Sequence, residues 1–138
     1  KSTLGRFNLK AIPFIAILAR LGNEFNQFTV EQCGGLLIEY NHSTFRTFKY
    51  LVRSSLLKED DEGYNQRVDI VFQTLLTELR QIGLFKKEYI SDHNLVLYLC
   101  NSYNEEYFAA NRFRLLVEWN PTSLLQIAEH NGWLPLHY

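Results

Sequence analysis

The chain lacks a surplus of positive charge: 14 Lys and Arg stand against 15 Asp and Glu in 138 residues, a formal net charge of -1. A dedicated nucleic-acid binder concentrates positive charge, so this balance removes the electrostatic argument for one. Glycine and proline are scarce, at seven and three, which excludes collagen-like and Pro-rich repeats. Long apolar runs are missing too. The longest spans residues 11–19, is broken by Pro13 and is closed by Arg20, far short of a bilayer crossing. No basic leader with an apolar stretch and a small-residue cleavage site appears, so the expectation is an intracellular, cytoplasmic chain with no membrane partner. Only two cysteines occur, Cys33 and Cys100. A disulfide stays open, with two free buried thiols as the favoured reading. The chain starts at Lys1 without Met and stops at Tyr138 directly after an apolar segment, the pattern expected of a fragment whose own chain continues past Tyr138.

What is present is a hydrophobic fraction of 46% with 14% aromatic residues, enough for one globular unit with a sizeable core. Helical periodicity organises it. Over residues 43–57, Phe45, Phe48, Leu51, Val52 and Leu56 recur at three- and four-residue spacing with Arg46, Lys49 and Arg53 on the other side, predicting an amphipathic helix capped by Ser43. Over residues 66–82 the same template returns in Val68, Val71, Phe72, Leu75, Leu79 and Ile82, with Gly83 in the C′ place. Thr29 and Gln32 read as a capping box, with Phe28 and Cys33 as its hydrophobic staple, so a helix is expected to start at Val30. Gly34 and Gly35 would weaken it by about 1 kcal/mol each, which makes sense if another element packs closely there. Further helices are expected over residues 12–21, 94–100 and 105–119, the last stopped before Pro121, with a short helical turn over 123–127.

Polar breaks fall at residues 58–63, with Glu59, Asp60, Asp61 and Glu62, at Lys86, Lys87 and Glu88, and over residues 101–106. No Val/Ile/Thr-rich alternation argues for a large sheet. The expected fold class is mainly α.

Self-comparison adds a repeat. Thr47-Phe48-Lys49-Tyr50-Leu51-Val52 matches Arg112-Phe113-Arg114-Leu115-Leu116-Val117 at an offset of 65 residues, and each is preceded by a short apolar stretch, Leu36-Leu37-Ile38 or Val96 to Cys100. At the C-terminal end, Glu129, Gly132, Pro135, Leu136 and His137 stand at the spacing that opens an ankyrin repeat. Leu134 departs from the Thr expected there, which puts the side-chain cap made by that Thr in question. By this resemblance the chain looks like an ankyrin-like helical-repeat fragment, an α-solenoid piece. Residues 1–33 would be a diverged helical cap or repeat, 34–128 degenerate repeats with about five inserted residues over 101–107, and 129–138 the start of a truncated repeat. The resemblance implies a protein-protein interaction scaffold whose partner is another protein. Register carries groove positions onto Tyr98 and Tyr138 and a hairpin position onto Trp133. His137 takes the family's structural histidine place, where the imidazole ties backbone groups of adjacent units.

The chemistry-bearing residues favour no catalysis. His42, His93, His130, His137, Cys33 and Cys100 show neither Cys-x-x-Cys nor His-x-x-x-His spacing, so no metal site is expected. There is no Gly-x-Ser-x-Gly and no Gly-rich phosphate loop, so no cofactor is implied. His93 and Cys100 could meet across two helical turns as a nucleophile pair, but the apolar setting of Val96, Leu97 and Leu99 favours a buried inert thiol. One alternative is kept: a winged-helix-like nucleic-acid-binding module, in which Arg46, Lys49 and Arg53 meet phosphates and residues 75–96 form the end of the domain. The near-zero net charge weighs against it.

Overall fold

The computed structural model describes residues 10–37, 47–53, 62–101, 107–129 and 131–138. Its regular elements are helical, and no strand occurs among the described residues. The α-helices in chain order are α1 (Phe14–Glu24), α2 (Thr47–Arg53), α3 (Glu62–Gln81), α4 (Lys87–Asp92), α5 (Leu95–Cys100) and α6 (Ala110–Trp119), with 3₁₀ turns at Val30–Gly35, Pro121–Leu125 and Pro135–His137. The mainly α class follows from the periodicity. Ser43, Phe45, Arg46, His42, His130 and the acidic residues Glu59, Asp60 and Asp61 lie outside the described residues.

Helix α5 is the centre of the assembly. Leu95, Val96, Leu97 and Leu99 are all buried, and α2, α4 and α6 pack around it. α3 lies along α6 and also touches α1. The periodic stripes behave as expected where they are described: Phe48, Leu51 and Val52 of α2 are buried, as are Val68, Phe72, Leu75 and Leu79 of α3. Leu76 joins them, whereas Ile82 lies past the last turn and is exposed. Gly83 ends α3 as expected, with φ +77°. The Gly83 N–H donates to the Arg80 carbonyl and the Leu84 N–H to the Leu79 carbonyl, the paired bonds of a Schellman stop.

Other boundaries differ from the sequence reading, each for a local reason. α1 starts after Pro13 and runs to Glu24, beyond residue 21, because Asn26 takes the left-handed conformation that glycine would otherwise supply. The helix expected at Val30 is a pair of 3₁₀ turns kinked at Cys33 and Gly34, whose φ angles are 47° and 65°. The close packing expected of the glycines is there: a Cβ on Gly34 would lie 2.1 Å from the Ala19 carbonyl oxygen. Gln32 reaches back to accept the Thr29 N–H at 2.9 Å, half of the expected box. The Phe28 ring occupies the space beside Gly22 and Gly35. Lys87 and Glu88, read as a polar break, begin α4, which Ile90 anchors in the core. The turn expected over 123–127 begins at Pro121, where proline is preorganised for a first helical position.

A chain of rings ties these elements together. The Phe48 and Phe85 rings stack at 4.9 Å, Phe48 meets Tyr89 at 5.9 Å, and Phe85 meets the Trp119 ring edge-on at 5.0 Å. The Arg80 guanidinium closes the row 4.3 Å over Trp119.

Beside this row sits a buried ion pair between Asp69 of α3 and Arg112 of α6, 0% and 1% exposed. The Arg112 Nε donates to Asp69 Oδ1 at 2.8 Å, and the Asp69 carboxylate also accepts the backbone N–H groups of Asn111 and Arg112. One carboxylate therefore caps the first turn of α6 from another helix, satisfying donors that have no partner inside α6. The far end of the guanidinium donates through Nη1 to the Leu51 and Val52 carbonyls near the end of α2. Three helices are joined at one point, each polar atom facing one of opposite character.

The two segments matched by the 65-residue repeat lie in different surroundings. Leu51 and Leu116 are both buried, but Phe48 is enclosed against Phe85 and Tyr89 while Phe113 is half-buried beside Phe108 at 5.2 Å. Where α2 carries Thr47, α6 carries the buried Arg112, so α6 is aligned by the Asp69 contact and α2 by the ring stack. The two matching segments pack on α5 from different surroundings.

Candidate functional site

Every residue of α5 is apolar except Tyr98 and the weakly polar Cys100, and its neighbours bury the rest. That leaves Tyr98 half-exposed on the rim of a cleft of about 190 Å³. Asn94 and Asn101, at the two ends of α5, and Leu97 line the same cleft. Lys49 approaches from α2, its Nζ 5.5 Å from the centre of the Tyr98 ring. It is held there because Phe48, Leu51 and Val52 point inward on either side of it. Ala128, Glu129 and Tyr138 complete the lining.

Tyr138 reaches the cleft through a compact C-terminal turn. The Gly132 N–H donates to the Ala128 carbonyl and the Ala128 N–H to the Trp133 carbonyl, both at 2.8 Å, with Gly132 at φ +71°. Pro135–His137 then forms its 3₁₀ turn. Leu134 offers no side-chain cap, but the reciprocal bond is made: His137 Nδ1 accepts the Leu134 N–H at 3.0 Å. The histidine thus ties the backbone of its own turn. The Asn131 side-chain amide donates to the Tyr138 hydroxyl at 3.0 Å, and the Trp133 ring meets Tyr138 edge-on at 5.4 Å.

Of the expected binding residues, Tyr98 and Tyr138 both line one cleft. Trp133 stands outside it, 45% exposed and braced against Tyr138. Lys49, expected on a solvated basic stripe, is half-buried over Tyr98. Arg46 and the Arg53 side chain lie outside the described residues. Of residues 75–96, offered as the end of a winged helix, 75–81 belong to α3, 87–92 are α4 and 95–96 begin α5. Asn94, Asn101 and Glu129 were not anticipated. Asn101 Oδ1 is buried and accepts no hydrogen bond among the described residues, and a buried acceptor without a donor is costly. A signal for it existed: Asn directly after an apolar helix is a natural stop, and such residues are often placed at helix ends for their side chains.

The thiols behave as scaffold. Both are free. Cys33 Sγ lies 2.9 Å from the Tyr89 hydroxyl. Burial first, and then that hydrogen bond, push the Tyr89 hydroxyl well above its ordinary value. Burial raises the Cys100 thiol to about 11, so at neutral pH it carries almost no thiolate. His93 sits at the C-terminal end of α4 against the Tyr89 ring at 5.8 Å, on a different helix from Cys100. Among the described residues no group of three or more His, Cys, Asp or Glu could hold a metal ion, and no helix is long and apolar enough to cross a membrane.

No protein-family model, no curated protein sequence and no solved structure matches the chain.

Proposed function

We propose that this chain is a non-catalytic protein-interaction module of ankyrin-like type, which takes a peptide segment of its partner in the cleft between Tyr98 and Tyr138. The observation that carries the reading is that these two tyrosines, distant in sequence, line one cleft together with Lys49. Tyrosine rings anchor interfaces because they bury a large area at low entropic cost. The Lys49 ammonium over the Tyr98 ring favours a carboxylate on the incoming segment. The raised Cys100 thiol argues against nucleophilic chemistry at the α5 terminus. The exposed Trp133 and Leu136 supply apolar surface on which a following repeat would stack.

The test is a random-peptide display selection on the immobilised chain, followed by fluorescence anisotropy with the best peptide. Enriched peptides should share an acidic residue beside an aromatic or aliphatic one. Tyr98→Ala and Lys49→Glu should each weaken binding at least tenfold while the melting temperature stays within a few degrees, and Trp133→Ala should weaken it less. Absence of enrichment, or undiminished binding by both cleft variants, would refute the proposal.

A further inference from the structure

Helix α1 is packed with its small side inward. Ala16 and Ala19 are its buried residues, and the Ala19 carbonyl lies so close to Gly34 that no side chain fits between them. The large apolar residues face out: Phe14, Ile17, Leu18 and Phe25 are 57%, 46%, 64% and 68% exposed, with Leu21 half-buried among them. Phe14, Leu18, Leu21 and Phe25 fall within one narrow stripe at 3.6 residues per turn. Their spacing of four, three and four is that of an a/d seam, the pattern by which one helix packs along another.

The stripe is also its own mirror in sequence order. It reads Phe, Leu, Leu, Phe, with equal spacing from either end, about a midpoint between Ala19 and Arg20. A two-fold axis through that midpoint places Phe14 against the Phe25 of a second copy and Leu18 against its Leu21. That is the self-complementarity an isologous interface requires. Taking about 200 Å² for a large side chain, the exposed parts of Phe14, Leu18 and Phe25 offer on the order of 400 Å² of apolar area per chain. Fully covered in an interface about 60% apolar, two copies would bury up to about 1,300 Å² in total, the lower part of the standard interface range.

We infer that α1 is a homodimerisation element: two copies of this chain associate through antiparallel packing of the Phe14, Leu18, Leu21 and Phe25 seam. This surface is separate from the cleft, and the inference does not depend on the proposed peptide binding.

Sedimentation equilibrium of the whole chain between 5 and 200 μM tests it. The expected mass at the upper end is twice 16.3 kDa. Leu18→Glu should raise the dissociation constant at least a hundredfold, because the two-fold introduces the charge twice beside the axis, while circular dichroism and melting stay close to wild type for so exposed a position. Leu136→Glu, at an equally exposed apolar site elsewhere, should leave dimerisation unchanged. Register is read by cross-linking: mixing Phe14→Cys with Phe25→Cys chains should give a disulfide-linked heterodimer, whereas each variant alone should not link. A wild-type chain that stays monomeric at 200 μM overturns the inference and leaves the face to a different protein. A dimer lost with Leu136→Glu but kept with Leu18→Glu overturns it, and so does a Phe14→Cys chain that links to itself, since that requires parallel helices.

Discussion

Replacing Asp69 with alanine removes three acceptor contacts at once: the Arg112 Nε at 2.8 Å, the Asn111 N–H at 2.8 Å and the Arg112 N–H at 3.3 Å. What remains is a guanidinium 1% exposed, whose described contacts include the Leu51 and Val52 carbonyls and the Phe72 ring face at 5.1 Å. Breaking a buried pair from one side costs about 3–5 kcal/mol, and the lost cap at the start of α6 accounts for about 1 kcal/mol of that. The expected loss is therefore about 4 kcal/mol, a large part of the roughly 5–15 kcal/mol that a domain of this size has. In urea, with a slope of about 2 kcal/mol/M, the midpoint should fall by about 2 M, followed by circular dichroism and by Trp119 fluorescence. Asp69→Asn keeps the volume and serves as the readable variant if the alanine form is unfolded. The double variant Asp69→Leu with Arg112→Met replaces both charges by apolar groups and should recover about half of the loss, the remainder reflecting the Leu51 and Val52 carbonyls left without the guanidinium and the Asn111 and Arg112 N–H groups left without the carboxylate. A loss below about 1 kcal/mol for Asp69→Ala, or no coupling in the double-mutant cycle, would refute the view that this pair fixes α6 against α2 and α3.

Two glycines with similar φ but different surroundings should separate strain from space. Gly83→Ala meets nothing within 4 Å and should cost only about 1 kcal/mol for the left-handed conformation. Gly34→Ala drives a Cβ to 2.1 Å from a backbone oxygen and should cost at least twice as much in urea denaturation. Equal costs would mean that α1 does not rest on Gly34. Cys100, raised to about 11, should react with iodoacetamide at pH 8 about a hundredfold more slowly in the folded chain than in urea. Its folded value lies above the unfolded one, so the stability it contributes is full below about pH 9 and is lost as pH rises through about 11. A Cys100→Ala chain should therefore lose less stability over that window than the wild type, and identical pH profiles would count against burial as the cause.

Local chemistry was legible in the sequence wherever cause and effect lie within a few residues. The α2 and α3 stripes follow from spacing alone, and Gly83 stops α3 because only its own backbone decides the Schellman turn. Gln32 caps Thr29 three residues away. The glycine pair at 34 and 35 signalled a close neighbour, although not which helix would provide it. Tyr98 and Tyr138 were placed by register, yet their meeting depends on α5 being enclosed by α2, α4 and α6 and on the turn closed by Ala128 and Trp133.

Tertiary structure alone decided the rest, because the energies involved arise only between distant segments. Asp69 stands on the same face as Phe72 and Leu76, an irregularity in an apolar stripe that marks a buried charge. The sequence cannot say that its partner is Arg112, since nothing near either residue encodes the other. The repeat between residues 47–52 and 112–117 is real as a pattern, but a pattern of apolar spacing is satisfied by any apolar surroundings. Phe48 found a ring stack, whereas the start of α6 was oriented by a charge. In α1 the spacing specifies an amphipathic helix without specifying which side turns inward. Contact with Gly34 selected the alanine face, because only small side chains allow two backbones to approach so closely, and that choice turned Phe14, Leu18 and Phe25 outward.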